Sequence, residues 1–279
     1  MQKFVEQKFI GERAMFGVKD AEFERCGFAA GESPLKHGQN LRLKNCTFEW
    51  KYPLWYTKNV TVEDGFLMQM ARAGIWYARD VSFKDTLIQA PKSFRRCQNL
   101  RLENVNLTQA EETLWSCADV EIKNVCARGD YFAMNCENVR VYGLNLDGNY
   151  GFDGCKNLLV EDSKLLSKDA FWNCENVTVR NSFISGEYLA WNSKNVTFEN
   201  CTIESLQGLC YVQNLMLRGC RTLDTTLAFE YSSVDAEILG GIASVKNPLS
   251  GVIRAKEIGE IIMQKECVDP AATKIMLEK

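Results

Sequence analysis

Ionisable side chains recur at a fixed interval in the middle of this 279-residue chain. One series with a step of 19 residues contains Glu111, Asp130, Asn149, Lys168 and Glu187. A fold with that period would place Asp130 and Asp153 on neighbouring repeats, and likewise Asp153 and Asp169. Carboxylates held close together raise one another's pKa and can form an acid–base pair, and carboxylates of this kind also bind calcium. We take Asp130, Asp153 and Asp169 as candidate catalytic residues, with Arg128 and Lys168 as substrate-binding neighbours. The alternative is a polar surface turn without chemistry.

Tryptophans follow the same period. Each stands four residues before an Asn or Asp in the set Trp55, Trp76, Trp115, Trp172 and Trp191. If the preceding position points inward, this one points outward, and aromatic faces spaced along a sheet bind sugar rings. Arg95 and Asp153 share the position and favour the outward interpretation. The candidate substrate-binding tryptophans are Trp76, Trp115, Trp172 and Trp191. The alternative is that these rings bend inward at a wide corner and pack in the core.

The Asn or Asp after each tryptophan belongs to a repeat that organises the chain. Spacings of 19–21 residues separate Asp20, Asn40, Asn59, Asp80, Asn99, Asp119, Asn138, Asn157, Asn176, Asn195, Asn214 and Asp235. Apolar residues follow each of these anchors at the first and third positions, which is typical of a strand with one buried face. Further apolar positions lie eight residues after and five before the anchor. The pattern predicts an all-β parallel β-helix of about 11–12 coils, with three short strands per coil and no helix within the repeat.

Small polar residues mark the corners of the predicted coils. Five residues after the anchors stand Asn45, Asp64, Asp85, Asn104, Asn124, Asp162, Asn181 and Asn200. Asn and Asp tolerate left-handed backbone dihedrals, and stacked amides can bond from one coil to the next. Both polar columns are therefore predicted to be corners with amide ladders.

The repeat runs through most of the chain, so we predict a single domain over residues 1–279. It comprises an N-terminal cap over residues 1–19, regular coils over 20–243, and irregular coils with a cap over 244–279. Asp269-Pro270 can start a terminal helix, but Lys274–Glu278 is equally compatible with a strand. Those two alternatives stay open.

Composition excludes several classes of function. The net charge of −3 gives no electrostatic basis for binding nucleic acid. Met1–Arg13 does not resemble a signal peptide, and no apolar run has transmembrane length, so we expect a cytoplasmic protein without membrane partners. The twelve cysteines show no C-x-x-C spacing, and most fall in inward columns, which predicts buried reduced thiols. No cofactor or metal is expected, and the oligomeric state is left open.

With the repeat placed, the chain resembles right-handed parallel β-helices of the pectate-lyase-like superfamily. It resembles most an uncharacterised bacterial family of single-domain β-helix proteins, a domain-of-unknown-function family. That resemblance rests on the coils together with Gly74–Asp80, Ala90–Arg95 and Ser244–Pro248. It implies a fold and little else. The paired-aspartate, G-H-G, W-x-D-H and R-x-P-x-x-R motifs of the superfamily's enzymes are absent, so no catalytic residue is carried over.

Two functions therefore remain. The first is a carbohydrate-binding or carbohydrate-active protein that uses the tryptophans as a platform for an oligosaccharide and the aspartates as acid–base groups. The second is a non-catalytic scaffold whose exposed aromatic residues bind a protein partner or a second copy of the chain. The sequence does not decide whether the protein is an enzyme.

Overall fold

The computed structural model describes residues 1–277 and shows almost exclusively parallel β-structure, in about 15 turns. Its contacts form two compact units, Met1–Asn145 and Leu146–Lys279, which we call the first and the second unit. Each unit is a parallel β-solenoid, as the sequence predicts. The turn count exceeds the predicted 11–12 because segments expected to be caps, including residues 1–19, form coils themselves.

The first unit contains pairs of strands that alternate along the chain. They are β1 (Gln2–Val5), β2 (Lys8–Ile10), β3 (Lys19–Glu24), β4 (Gly27–Ala29), β5 (Gln39–Lys44), β6 (Thr47–Phe48), β7 (Lys58–Glu63), β8 (Phe66–Leu67), β9 (Arg79–Lys84), β10 (Leu87–Ile88), β11 (Gln98–Glu103), β12 (Asn106–Leu107) and β13 (Ala118–Arg128). Strand β14 (Glu137–Asp147) begins in this unit. Equivalent strands of successive coils pair in parallel, for example β5 with β7.

The second unit repeats this arrangement. Its elements are β15 (Lys156–Glu161), β16 (Lys164–Leu166), β17 (Glu175–Arg180), β18 (Phe183–Ser185), β19 (Lys194–Glu199), β20 (Thr202–Leu206), β21 (Gln213–Thr226), β22 (Ser233–Ile238), β23 (Gly241–Lys246), β24 (Ser250–Ala255), β25 (Glu257–Ile262), a 3-10 turn (Pro270–Ala272) and β26 (Thr273–Leu277). The open alternative near the C-terminus is resolved. Asp269 caps one short turn, and a strand follows it.

Amide ladders fix the register at the predicted corners. Asn176 donates from Nδ2 to Asn157 Oδ1 at 2.9 Å and accepts from Asn195 Nδ2 at 2.9 Å. Asn176 also has a φ of 59°, in the left-handed region that Asn tolerates better than most residues. The anchor residue therefore allows the chain to turn at the corner, and its side chain also forms hydrogen bonds to the neighbouring coils.

The third side of each coil is not the regular strand that the sequence predicts. Alternate residues there have left-handed conformations, as at Asp169, Phe171 and Asn173, whose φ values are 57°, 60° and 54°. The N–H of Asp169 bonds to Glu187 of the next coil, while the N–H of Phe171 bonds to Gly151 of the previous one. The zigzag thus bonds to both neighbouring coils without forming a regular β-ladder, and period-2 alternation alone cannot distinguish it from a strand.

Cysteines serve this irregular side as hydrogen-bond donors. Cys174 Sγ lies 3.0 Å from the carbonyl oxygen of Phe152, and Ser193 Oγ lies 2.7 Å from that of Phe171 one coil later. None of the described cysteines is joined in a disulfide, and ten of the twelve are buried. The expected column of buried thiols is therefore present. Besides fitting a small space, these thiols donate hydrogen bonds to carbonyls of the irregular side that face the core.

Removing an anchor amide should weaken the stack. We expect Asn176→Ala to lower the free energy of unfolding by about 2 kcal/mol. The substitution removes two ladder hydrogen bonds, and it places alanine, which has a Cβ but no polar group, at a positive φ. Asn176→Gly, which relieves only the backbone strain, should recover part of that loss. Urea unfolding followed by circular dichroism measures both, and equal stability of Asn176→Ala and wild type would contradict a structural role for the ladder.

The thiol column gives a second test. Cys174→Ser should change the free energy of unfolding little, since the hydroxyl can repeat the geometry of Ser193. Cys174→Val should cost about 1–3 kcal/mol, because the Phe152 carbonyl loses its donor inside the core. Thermal and urea unfolding of the two variants give the comparison. A Val variant as stable as the Ser variant would show that the position requires only a small side chain.

Candidate functional site

The tryptophans of the first unit stack from coil to coil. The rings of Trp55 and Trp76 lie 5.1 Å apart at an interplanar angle of 8°. The guanidinium of Arg95 then continues the column, with its Cζ 4.5 Å from the rings of both Trp76 and Trp115. Arg95 also forms an ion pair with Glu112 at 3.1 Å, which holds the guanidinium between the rings.

Stacking decides which part of each ring meets solvent. The rings are half-buried, and their indole N–H groups donate to backbone carbonyls, as Trp76 Nε1 does to Lys92 O at 2.9 Å and Trp115 Nε1 to Tyr131 O at 2.8 Å. The column therefore lies at the surface and not in the core. Because the faces of Trp76 are covered by Trp55 and Arg95, this ring presents mainly its edge. Substrate binding by Trp76 and Trp115 stays a prediction.

A second aromatic column lies beside the first. His37 stacks on Tyr56 at 5.1 Å, Tyr56 stacks on Tyr77 at 4.8 Å, and the Cζ of Arg96 lies 5.8 Å from the Tyr77 ring. Each of these residues stands three positions before an anchor. That position was not among the columns selected from the sequence. We call the two columns together the aromatic strip: Trp55, Trp76, Arg95 and Trp115, with His37, Tyr56, Tyr77 and Arg96.

A shallow cavity lies on the same unit. It has a volume of about 580 Å³ and is lined by Ala30, Gly31, Glu49, Trp50, Met68 and Met70. Trp50, Met68 and Met70 are each more than a third exposed. Tyr52, two residues after Trp50, packs against Trp55 of the aromatic strip with ring centroids 4.6 Å apart. Trp50 lies outside the tabulated repeat positions, so no pattern in the sequence selects it.

The second unit brings several other predicted residues together. Trp172 and Trp191 stack at 5.8 Å and 10°, and Trp172 Nε1 donates to Tyr188 O at 2.7 Å. Lys168 Nζ lies 3.0 Å from Glu187 Oε2 and 5.3 Å from the centre of the Tyr188 ring. The predicted basic residue is therefore already paired with an acid and an aromatic ring.

Asp169 is the predicted residue in the most unusual environment. Its side chain is buried beneath this surface, only 2% exposed. Burial raises the pKa of its carboxyl above the ordinary value, opposed by the charge of Lys168 and a hydrogen bond from Tyr150, while Glu187 and Asp153 add to the rise. A carboxyl with a raised pKa suits a general acid. Tyr150, which completes this setting, was not selected from the sequence.

The other predicted acids are placed differently. Asp153 is half-buried and accepts a hydrogen bond from Asn173 Nδ2 at 2.9 Å, as the start of a third amide ladder that also includes Asn192. Asp130 is half-buried and Arg128 exposed, and both belong to the first unit. A catalytic role for Asp130, Asp153 and Asp169 stays a prediction.

Two kinds of feature are absent from residues 1–277. No group of three or more His, Cys, Asp or Glu side chains among them is arranged to hold a metal ion. None of the helical segments in this range has the length and apolar composition needed to cross a bilayer.

Comparison with known proteins identifies a family. The family model described as "Protein of unknown function (DUF3737)" matches residues 2–276. This match confirms the predicted resemblance to a domain-of-unknown-function family with a β-helix fold. No curated protein matches the chain.

Solved β-helix structures are similar at low identity. The A-module of the Azotobacter vinelandii mannuronan C-5 epimerase AlgE6 has 12% identity and a TM-score of 0.37, covering 93% of this chain and 91% of that one. A tailspike mutant of the E. coli bacteriophage HK620, solved with a pentasaccharide, has 10% identity and a TM-score of 0.39; the alignment covers 87% of this chain but only 60% of the tailspike. The surface adhesin PfbA of Streptococcus pneumoniae has 11% identity and a TM-score of 0.30, covering 88% and 68%. At these identities and scores, they do not bear on the activity or ligand of this chain.

The buried carboxyl of Asp169 should make stability depend on pH. Because its pKa is raised on folding, the folded state holds the proton more tightly than the unfolded state, so wild type loses stability as pH rises from the ordinary aspartate pKa through the raised one. The Asn side chain in Asp169→Asn does not ionise, so this variant does not lose stability in that way. We expect its unfolding free energy, relative to wild type, to increase from about pH 4 towards neutrality. Urea unfolding across that range checks this, and a difference that is flat or falls with pH would contradict it.

Proposed function

This chain belongs to DUF3737, a family of proteins of unknown function, and on that premise we propose that it is a non-catalytic interaction solenoid. It binds a protein partner or a second copy of itself through exposed aromatic and basic side chains. The observation that carries this proposal is the aromatic strip of the first unit. Trp, Tyr, Met and Arg are the residue types enriched in protein interfaces and in their energetic hot spots.

The geometry of the strip supports protein binding over sugar stacking. Tyr56 is 42% exposed, yet its ring is held between His37 and Tyr77. Rings fixed in this way lose little conformational entropy when a partner covers them, which favours affinity. A pyranose or a nucleobase, by contrast, binds an aromatic ring through its face, and the faces here are largely occupied by neighbouring rings and guanidinium groups.

The engagement of the predicted acids supports a role without catalysis. Asp153 accepts a ladder bond, Lys168 is paired with Glu187, and Asp169 is covered by its surroundings. A general acid must reach the proton acceptor on its substrate at hydrogen-bond distance. We also keep the cytoplasm as the proposed compartment, which is compatible with free thiols.

Carbohydrate binding or cleavage in the second unit is the second candidate, and Asp169 is the observation that favours it. Its raised pKa, the hydrogen bond with Tyr150 and the nearby Trp172 are typical of a site for glycoside chemistry. In this proposal Asp169 acts as the acid and Asp153 as its partner, while Lys168, Trp172 and Trp191 bind the oligosaccharide. It requires side-chain movement that uncovers the carboxyl.

The interaction proposal is tested by selecting binders from a display library of short random peptides and by sedimentation velocity of the free protein. We expect enriched peptides or self-association on wild type. The double variant Tyr56→Asn and Tyr77→Asn should lose about 2 kcal/mol of binding, roughly thirtyfold in Kd. Asn is chosen because Asn135, Asn173 and Asn192 hold the same column at positive φ.

Tyr211→Asn is the matched control, because Tyr211 occupies the same column in the second unit and is 41% exposed. The control should bind like wild type. The proposal is wrong if no peptide is enriched and the protein does not self-associate. Binding or cleavage of a neutral or acidic oligosaccharide that Asp169→Asn abolishes would instead establish the carbohydrate candidate.

A further inference from the structure

Four cations around the aromatic strip form no ion pair within residues 1–277, and they are Lys36, Lys58, Arg79 and Arg96. Lys58 and Arg79 pair in register on adjacent strands, and both side chains are exposed. Stacked coils lie about 4.8 Å apart, and like charges directly opposite one another at that distance are unfavourable. Neither cation forms an ion pair with any residue in the described range 1–277. The same holds there for Lys36 and Arg96.

These cations lie beside the rings. Lys36 Nζ is 5.6 Å from the ring centre of Trp55 and 5.5 Å from that of Tyr56, and Arg96 lies over Tyr77. Lys58 and Arg79 each follow a tyrosine of the strip by two residues. Aromatic edges carry partial positive charge, so edges and cations together favour an anionic occupant.

The cavity on the same unit adds an apolar element. Trp50, Met68 and Met70 line it, and methionine thioethers adapt to side chains of different shapes. A volume of about 580 Å³ has room for an aromatic or aliphatic side chain of a partner. A polypeptide with several Asp or Glu residues and one apolar residue supplies carboxylates and an apolar anchor together. A glycan or a nucleic acid would need the ring faces that stacking covers.

We propose that the aromatic strip and the cavity lined by Trp50, Met68 and Met70 bind an acidic polypeptide segment of a partner protein. The carboxylates of that segment pair with the side chains of Lys36, Lys58, Arg79 and Arg96, and one of its apolar side chains enters the cavity. This inference rests on the proposed function and names the partner's chemistry.

The test uses the full chain and a fluorescein-labelled synthetic peptide of Asp and Glu residues around one Leu-Phe pair, followed by anisotropy. Three further probes are an amide peptide with Asn and Gln in place of the acids, an acidic peptide without the apolar pair, and an oligogalacturonate. We expect the first probe to bind most tightly, and its affinity to fall as salt is raised. The double variant Lys58→Glu and Arg79→Glu should weaken it at least about tenfold, and Met70→Ser should weaken the first probe but not the peptide lacking the apolar pair.

Lys164→Glu, an exposed lysine in β16 of the second unit, is the control and should leave binding unchanged. Absence of binding, equal binding by the charge-reversal variant, or tighter binding of the amide peptide or the oligogalacturonate would overturn the inference. The two proposals fail separately. If neutral or basic peptides selected from the display library bind through Tyr56 and Tyr77, only the acidic partner is wrong; if nothing binds and the protein does not self-associate, both are wrong.

Discussion

The register in which one coil hydrogen-bonds to the next is the constraint on which the other features depend. Strands β17 and β19 pair so that Val177 meets Val196 and Val179 meets Phe198. A shift of one residue would turn these side chains out of the core. The amide ladder through Asn176 and Asn195 opposes such a shift, because its bonds exist in one register alone. Each position of the repeat therefore becomes a column of stacked side chains.

Residues in the left-handed conformation allow each coil to close within about 19 residues. They also turn backbone carbonyls into the core, where these carbonyls need hydrogen-bond donors. On the irregular side, Phe152 and Phe171 have φ values of 65° and 60°, and their carbonyls face inward. A buried carbonyl without a donor is costly, so the column facing it has to combine small volume with a hydrogen-bond donor. Cys174 and Ser193 meet that requirement, which explains why Cys and Ser interchange there.

Stacking also determines what the surface can bind. A ring that recurs in one column meets the ring or cation of the next coil face to face, as Trp76 meets Trp55 and Arg95. The arrangement that aligns tryptophans along a solenoid thus removes their faces from solvent and leaves edges, phenol groups and unpaired cations. A surface of that kind suits the polypeptide partner that we propose. The site around Asp169 differs because its chemistry lies beneath the surface layer.

The sequence by itself determined the period, the corner residues, the buried columns and hence the β-solenoid, because a regular stack repeats one local requirement at each coil. For the tryptophan column it left two placements open, solvent or core, with Arg95 and Asp153 favouring solvent. Only the tertiary structure decided how these residues meet. The zigzag at Asp169–Asn173 depends on left-handed dihedrals that Phe171 adopts against its own preference, since coils on both sides bond its backbone. Likewise, the burial of Asp169 and the covering of the Trp76 faces follow from side chains of neighbouring coils, which no single repeat specifies.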